Sequence, residues 1–224
     1  MKKTIYAALI FAAFGMTACG EEAAEDTTAK EEKKDKKSTK NYSLNAEESK
    51  LEWRAAWVVP TEDGGQEEDK NHRGIINVTD GKVKVTGKDV SGDFTIDLTS
   101  IEVTDLEPEE GKDGLEAHLK GTSEKEGKKE DDFFNTNEFT NASVKLNSLK
   151  DGKADITIKV IGVELNETVE LTSSTEGDKM TMHGEFSIDM TPLNLAMTEP
   201  DPEAPEEGNI NPEIGFKLHL VLNK

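Results

Sequence analysis

The chain of 224 residues has a single cysteine, Cys19. No intrachain disulfide can staple the fold, and no zinc finger built on cysteine pairs can form. Aromatic residues make up 5% and hydrophobic residues 33% of the sequence. That is room for one sizeable core and not for two, so one folded domain with appendages is expected. Basic charge is scarce as well: 27 Lys and Arg stand against 47 Asp and Glu, a formal net charge of -20, and only Arg54 and Arg73 are arginines. This argues against nucleic acid as a partner, because phosphate binding needs a basic surface that releases counterions. The signatures of enzymes are missing too. There is no Gly-rich phosphate loop, no Gly-x-Ser-x-Gly elbow and no zinc-protease helix, so no catalytic residue is assigned. The acidic clusters at 62–69, 107–113 and 201–207 lack the ordered ligand spacing of a calcium loop and read as solvated. His72, His118, His183 and His219 do not sit at metal-motif spacings, and His183 and His219 read as surface imidazoles. No metal and no cofactor are expected.

What is present begins with a leader. Met1-Lys2-Lys3 is basic, Thr4 to Phe14 is an apolar run too short to span a bilayer, and Met16-Thr17-Ala18 places small residues before Cys19. Residues 1–18 resemble a bacterial lipoprotein signal peptide, with an ordinary secretory leader as the alternative. Cys19 then becomes the acylated lipid anchor, since several acyl chains hold a protein to a membrane where one would not. The implied location is the cell envelope, lipid-anchored at the outer membrane on its periplasmic face or at the cell surface. From Cys19 to Lys40 the chain is acidic first and lysine-rich later, with no large apolar residue, and is read as a flexible charged tether. The folded domain is assigned to residues 41–224.

That domain reads as strand after strand. Leu51, Trp53, Ala55, Trp57 and Val59 recur at every second position, the period of a half-buried strand. Pro60 to Asn71 is read as an acidic loop. Gly74 to Thr79 and Lys82 to Thr86 are read as two strands of a hairpin that turns at Asp80-Gly81. Gly92 to Leu98 follows, and another hairpin is expected at Asp151-Gly152 into Ala154 to Val160. Glu167 to Leu171, a turn at Gly177, the long strand Lys179 to Met190, a loop over 199–212, and a last strand carrying Ile214, Phe216, Leu218, Leu220 and Leu222 inward complete the series.

One stretch interrupts it. Leu115 and Leu119 are four apart and share a face of a helical turn, and Phe133-Phe134 offers a large apolar surface in a polar neighbourhood. Together they read as a short helix and an aromatic plug laid across something hollow. The run from Gly121 to Asp131, nearly all charged or glycine, reads as a mobile flap at one barrel end.

His118-Leu119-Lys120, Asp132-Phe133-Phe134 and Phe139 before a small-residue strand resemble the signature of the YceI-like family. Tyr42-x-Leu44, Ser49-x-Leu51-x-Trp53, His72-x-Gly74 and Gly92-x-Phe94-x-Ile96-Asp97 match how such chains run. The resemblance covers about Tyr42 to Asn223. It departs from the family at the insert 121–131 and at Thr140, where many relatives carry proline. It implies an all-β, lipocalin-like antiparallel β-barrel of about eight strands with a short helix and long loops, holding a polyisoprenoid or related amphiphilic lipid. A barrel of that size either fills with side chains or holds one small ligand. On the inner face the alternation puts Trp53, Trp57, Phe94, Ile96, Ile156, Ile158, Phe186, Ile188, Phe216 and Leu218, which are the candidate cavity residues. His72, Arg73 and His118 are the candidate head-group site, because a rim cation could meet a lipid phosphate or carboxylate. The leading reading is a non-enzymatic carrier of a long amphiphilic lipid of the isoprenoid or isoprenoid-quinone type. The alternatives are a structural surface lipoprotein with a filled barrel and a small lipid-modifying enzyme.

Overall fold

A computed structural model describes residues 38–123 and 133–224. The leader, Cys19, the tether up to residue 37 and most of the insert lie outside the described residues.

Among the described residues eleven strands follow one another: β1 (Thr39–Leu44), β2 (Lys50–Pro60), β3 (Gln66–Thr86), β4 (Asp89–Val103), β5 (Asn141–Lys150), β6 (Lys153–Val160), β7 (Val163–Glu170), β8 (Thr172–Glu176), β9 (Lys179–Asp189), β10 (Asn209–Ile210) and β11 (Glu213–Asn223). The helix α1 (Lys112–Lys120) stands between β4 and β5. Every pairing is antiparallel. β3 to β7 form a continuous meander. β2 pairs with both β3 and β11, β11 with β9, and β9 with β8. β7 runs into β8 through Leu171, so the ring of β2, β3, β4, β5, β6, β7 with β8, β9 and β11 is an antiparallel barrel of eight staves. The first stave is split in two. β1 pairs with β3 and β11 at one end of the barrel, and β2 pairs with the same two strands towards the other. β1 already begins at Thr39, so Thr39 and Lys40 belong to the sheet and not to the tether.

Three details differ from the sequence expectation. Asp80-Gly81 is not a turn: Asp80 pairs with Thr95 and Gly81 with Phe94 inside one 21-residue strand, with a register shift between Val78 and Asp80. Inward residues change from even numbers (Ile76, Val78) to odd (Val83, Val85) across that shift, and a bulge of one extra residue accomplishes the change without reversing the chain. A Cβ on Gly81 would collide with the Phe94 ring, so glycine is needed there to seat the ring. The reversal comes at Gly87, with φ of 65°.

Second, the β2–β3 loop is short. β3 starts at Gln66, opposite Pro60, so Gln66 to Asn71 are strand rather than loop. Their acidic side chains stay outside, where Arg54 pairs with Glu68. Third, a turn at Ile161-Gly162 joins β6 to β7, with φ of 43° and 81°. Asp151-Gly152 turns as expected with φ of 53° and 78°, positive at both central residues as a twisted hairpin requires.

The connections are sorted by end. Gly87, Asp151-Gly152 and Gly177 make tight turns at one end, which Tyr42, Val83, Leu149, Met180 and Leu222 fill with buried side chains. The α1 segment and the chain between β9 and β11 lie at the opposite end, over the C-terminal part of β2 and the N-terminal part of β3.

Candidate functional site

Inside the barrel is a cavity of about 410 Å³. All ten residues expected on the inner face line it: Trp53, Trp57, Phe94, Ile96, Ile156, Ile158, Phe186, Ile188, Phe216 and Leu218. Strand alternation is the cause, since a period of two sends every other side chain inward along each stave. Two glycines make room for the aromatics. Gly81 underlies Phe94, and a Cβ on Gly74 would meet the Trp53 indole at 2.6 Å. The indole N–H groups are turned away from the cavity's chemistry: Trp53 Nε1 donates to the Ile75 carbonyl at 3.3 Å and Trp57 Nε1 to the Glu207 carbonyl at 2.9 Å. Both rings therefore offer the interior only their apolar faces.

α1 caps the cavity with Leu115, His118 and Leu119, the apolar face expected of it. Its position is fixed from both ends. Near its start Lys112 reaches Glu102 at 3.2 Å, and Glu116 Oε1 accepts the N–H of Val103 at 2.9 Å. At its end Gly121 adopts φ of 69° and donates to the His118 carbonyl, the left-handed cap that lets a helix stop. Beyond the insert the chain returns to the same spot, where the Thr136 N–H donates to the Lys120 carbonyl at 2.8 Å. Phe133 is buried under the helix, edge-on to Phe134 at 5.4 Å and tilted against His118 at 5.0 Å between centroids. The aromatic plug is therefore in place.

Across the mouth the chain before β10 supplies Leu195, Met197 and Thr198. Asn209 holds this segment down. Its buried amide donates to the carbonyls of Thr198 at 3.1 Å and Ile210 at 2.9 Å and accepts from Gln66 at 3.3 Å.

Polar side chains reach the cavity at few places: Lys70, His72, His118 and Thr198, beside two indoles already bonded to backbone. The expected head-group trio is divided. His72 and His118 line the cavity, but Arg73, next to His72 on β3, is exposed on the opposite face and lines nothing. Adjacent strand residues cannot both face inward. Arg73 contributes its backbone instead: its N–H donates to Asp105 Oδ1 at 3.1 Å, while Asp105 Oδ2 lies 3.2 Å from Nδ1 of His72. Asp105 thus orients the imidazole. The cation that does face the cavity is Lys70, whose Nζ lies 5.4 Å from the centre of the Trp57 ring. Among the described residues no carboxylate lies within ion-pair distance of it. Sequence reasoning misses Lys70 because it starts the strand too late, at Gly74. Once β3 begins at Gln66, Lys70 and His72 fall in step with Gly74, Ile76 and Val78.

Comparison with known proteins gives the same architecture. No curated protein matches the chain by sequence. The crystal structure of BcnA from Burkholderia cenocepacia superposes with a TM-score of 0.56 at 17% identity, covering 80% of this chain and 98% of that one, and shares the fold. A mutant CJ YceI protein crystallised with a monobromobimane guest aligns at a TM-score of 0.40 and 10% identity, over 76% of this chain and 81% of its own, too distant to bear on the fold. The family model of the YceI-like domain matches residues 42–222, from Tyr42 at the closed end to Leu222 beside it and so around the whole barrel, and the chain belongs to the YceI-like family.

Proposed function

We propose that the protein binds and carries a long amphiphilic lipid of the isoprenoid or isoprenoid-quinone type, tail inside the barrel and head at the mouth, without catalysing a reaction on it. The observation that carries this reading is the cavity: at about 410 Å³ it falls within the size range of small-molecule sites, and its walls are aliphatic and aromatic. Family membership supports lipid binding in general. An apolar chain drawn from water into such walls gains roughly 25 cal/mol per Å² removed, so a few isoprene units supply most of the affinity. In this reading the ten inner residues from Trp53 to Leu218 contact the tail. Lys70, with His72 and His118, replaces Arg73 as the group that meets a phosphate, carboxylate or quinone oxygen. The cavity favours this over a filled structural barrel.

We place the protein in the envelope as a lipoprotein, with Cys19 as the acylated anchor and residues up to about 38 as its tether. The leader pattern and the core-free stretch that follows support this. Lipids extracted from the purified full chain should include one amphiphile bound in about equal amount to protein, visible as added mass in native mass spectrometry. A lipid-free protein that also takes up no added isoprenoid would overturn the carrier reading. Cys19→Ser should move the protein from the membrane to the soluble fraction, and its retention in membranes would remove the anchor alone.

A further inference from the structure

His183 and His219 are 36 residues apart in sequence, and the barrel sets them side by side. β9 and β11 are paired so that their Cα atoms are direct cross-strand partners. Met182 before His183, and Leu218 and Leu220 on either side of His219, point into the cavity, so by strand alternation both imidazoles stand on the outer wall. Their Nδ1 atoms are 3.1 Å apart and their ring centres 4.6 Å, with the rings tilted by 47°.

That separation has a chemical meaning. Two imidazole nitrogens on one late first-row metal ion, at about 2.05 Å each, lie roughly 2.9 Å apart at a right angle and roughly 3.3 Å apart at the tetrahedral angle. The observed 3.1 Å lies between the two. At this distance at least one Nδ1 must present its lone pair, because two N–H groups cannot point at each other. We propose that His183 and His219 form a two-imidazole site for a divalent late first-row ion, copper or zinc, which bridges β9 to β11 on the outside of the barrel.

The surroundings suit a cation. Glu48, near the pair, is engaged by Lys179 at 2.6 Å, and its carboxyl is held below the usual carboxylate range first by that bond and in smaller part by His219. Lys50, opposite His219 on β2, is engaged by Glu52 at 2.7 Å. Among the described residues no group of three or more histidine, cysteine or carboxylate side chains converges on one point, so water completes the coordination. The residues on either side, Met182, Leu218 and Leu220, line the cavity, so an ion here clamps the wall against which the ligand lies.

Titration of the full chain in detergent with Cu²⁺ and separately Zn²⁺, followed by calorimetry, tests this. The expected result is one ion per chain, affinity reduced at least tenfold in His183→Gln and in His219→Gln, and no displacement by a hundredfold excess of Ca²⁺. Unchanged affinity in both variants, or displacement by Ca²⁺, would overturn the proposal and assign binding to the acidic loops. Should a variant fold poorly, the imidazole nitrogen resonances of the unaltered protein decide instead. Zn²⁺ must shift Nδ1 of both histidines and leave those of His72 in place, and absence of that shift overturns the site.

Discussion

The two ends of the barrel are built from the same alternating strands and differ in what closes them. At the end of the tight turns, Leu222 and Val83 are almost wholly inaccessible to solvent and β1 completes the first stave. At the other, the closure consists of α1, Phe133-Phe134 and a segment pinned by Asn209, with the exposed Met197 at its edge. One end is packed like any core, and the other leaves a cavity beneath a cover attached by a few hydrogen bonds. The difference separates stability from binding along the barrel axis, and substitutions at the two ends should report on different quantities.

The largest effect is expected at the packed end. Leu222→Ala removes a fully buried side chain and should cost about 2–5 kcal/mol of unfolding free energy. Chemical denaturation measures this, and a cost as small as that of a surface change would mean the end is not a sealed core. Gly81→Ala comes next, because its new Cβ meets the Phe94 ring, which lies in the cavity wall. Displacing the ring should cost about 1–3 kcal/mol and weaken ligand binding at the same time, linking the two ends through one side chain.

At the mouth the expectation reverses. Lys70→Ala should leave the thermal midpoint nearly unchanged and weaken an anionic amphiphile about tenfold, the roughly 1.4 kcal/mol scale of one charge-assisted contact, with less effect on a neutral one. Arg73→Ala should alter neither. Equal losses for both ligands in Lys70→Ala would show that the lysine packs against the tail rather than meeting the head.

The smallest effect belongs to the outer wall. Asp155 accepts from Ser148 and Thr168, first the former, and these bonds hold its carboxyl below the usual range. A depressed carboxylate contributes stability above its unfolded-state value and loses it as pH falls through the folded one. Asp155→Asn should therefore lower stability slightly at neutral pH, match the unaltered protein in strong acid, and so flatten the acid side of the stability profile. A loss as large in strong acid as at neutral pH would contradict this.

How much was readable in the sequence follows from which physics is local. Period-two alternation reports side-chain direction within a strand, and Trp53, Phe94, Ile156, Phe186 and Phe216 were placed by it alone. Alternation misleads where composition hides the limits of a strand. Charged Gln66 to Asn71 looked like a loop, which hid Lys70, and Asp80-Gly81 looked like a turn because composition does not distinguish a bulge from a reversal. Arg73 was assigned by charge against its own alternation with His72. Asp105, Asn209 and the pairing of His183 with His219 depend on contacts between distant segments, which no local pattern contains.

The central claim is that tail burial dominates binding in the cavity. Isoprenoids of increasing length, each with and without a terminal phosphate, titrated into delipidated protein would test it through the fluorescence of Trp53 and Trp57, both in the cavity wall. Affinity should rise with each added isoprene unit until the cavity is full and then level off, with the phosphate adding a smaller, constant increment. Affinity independent of tail length would contradict the account.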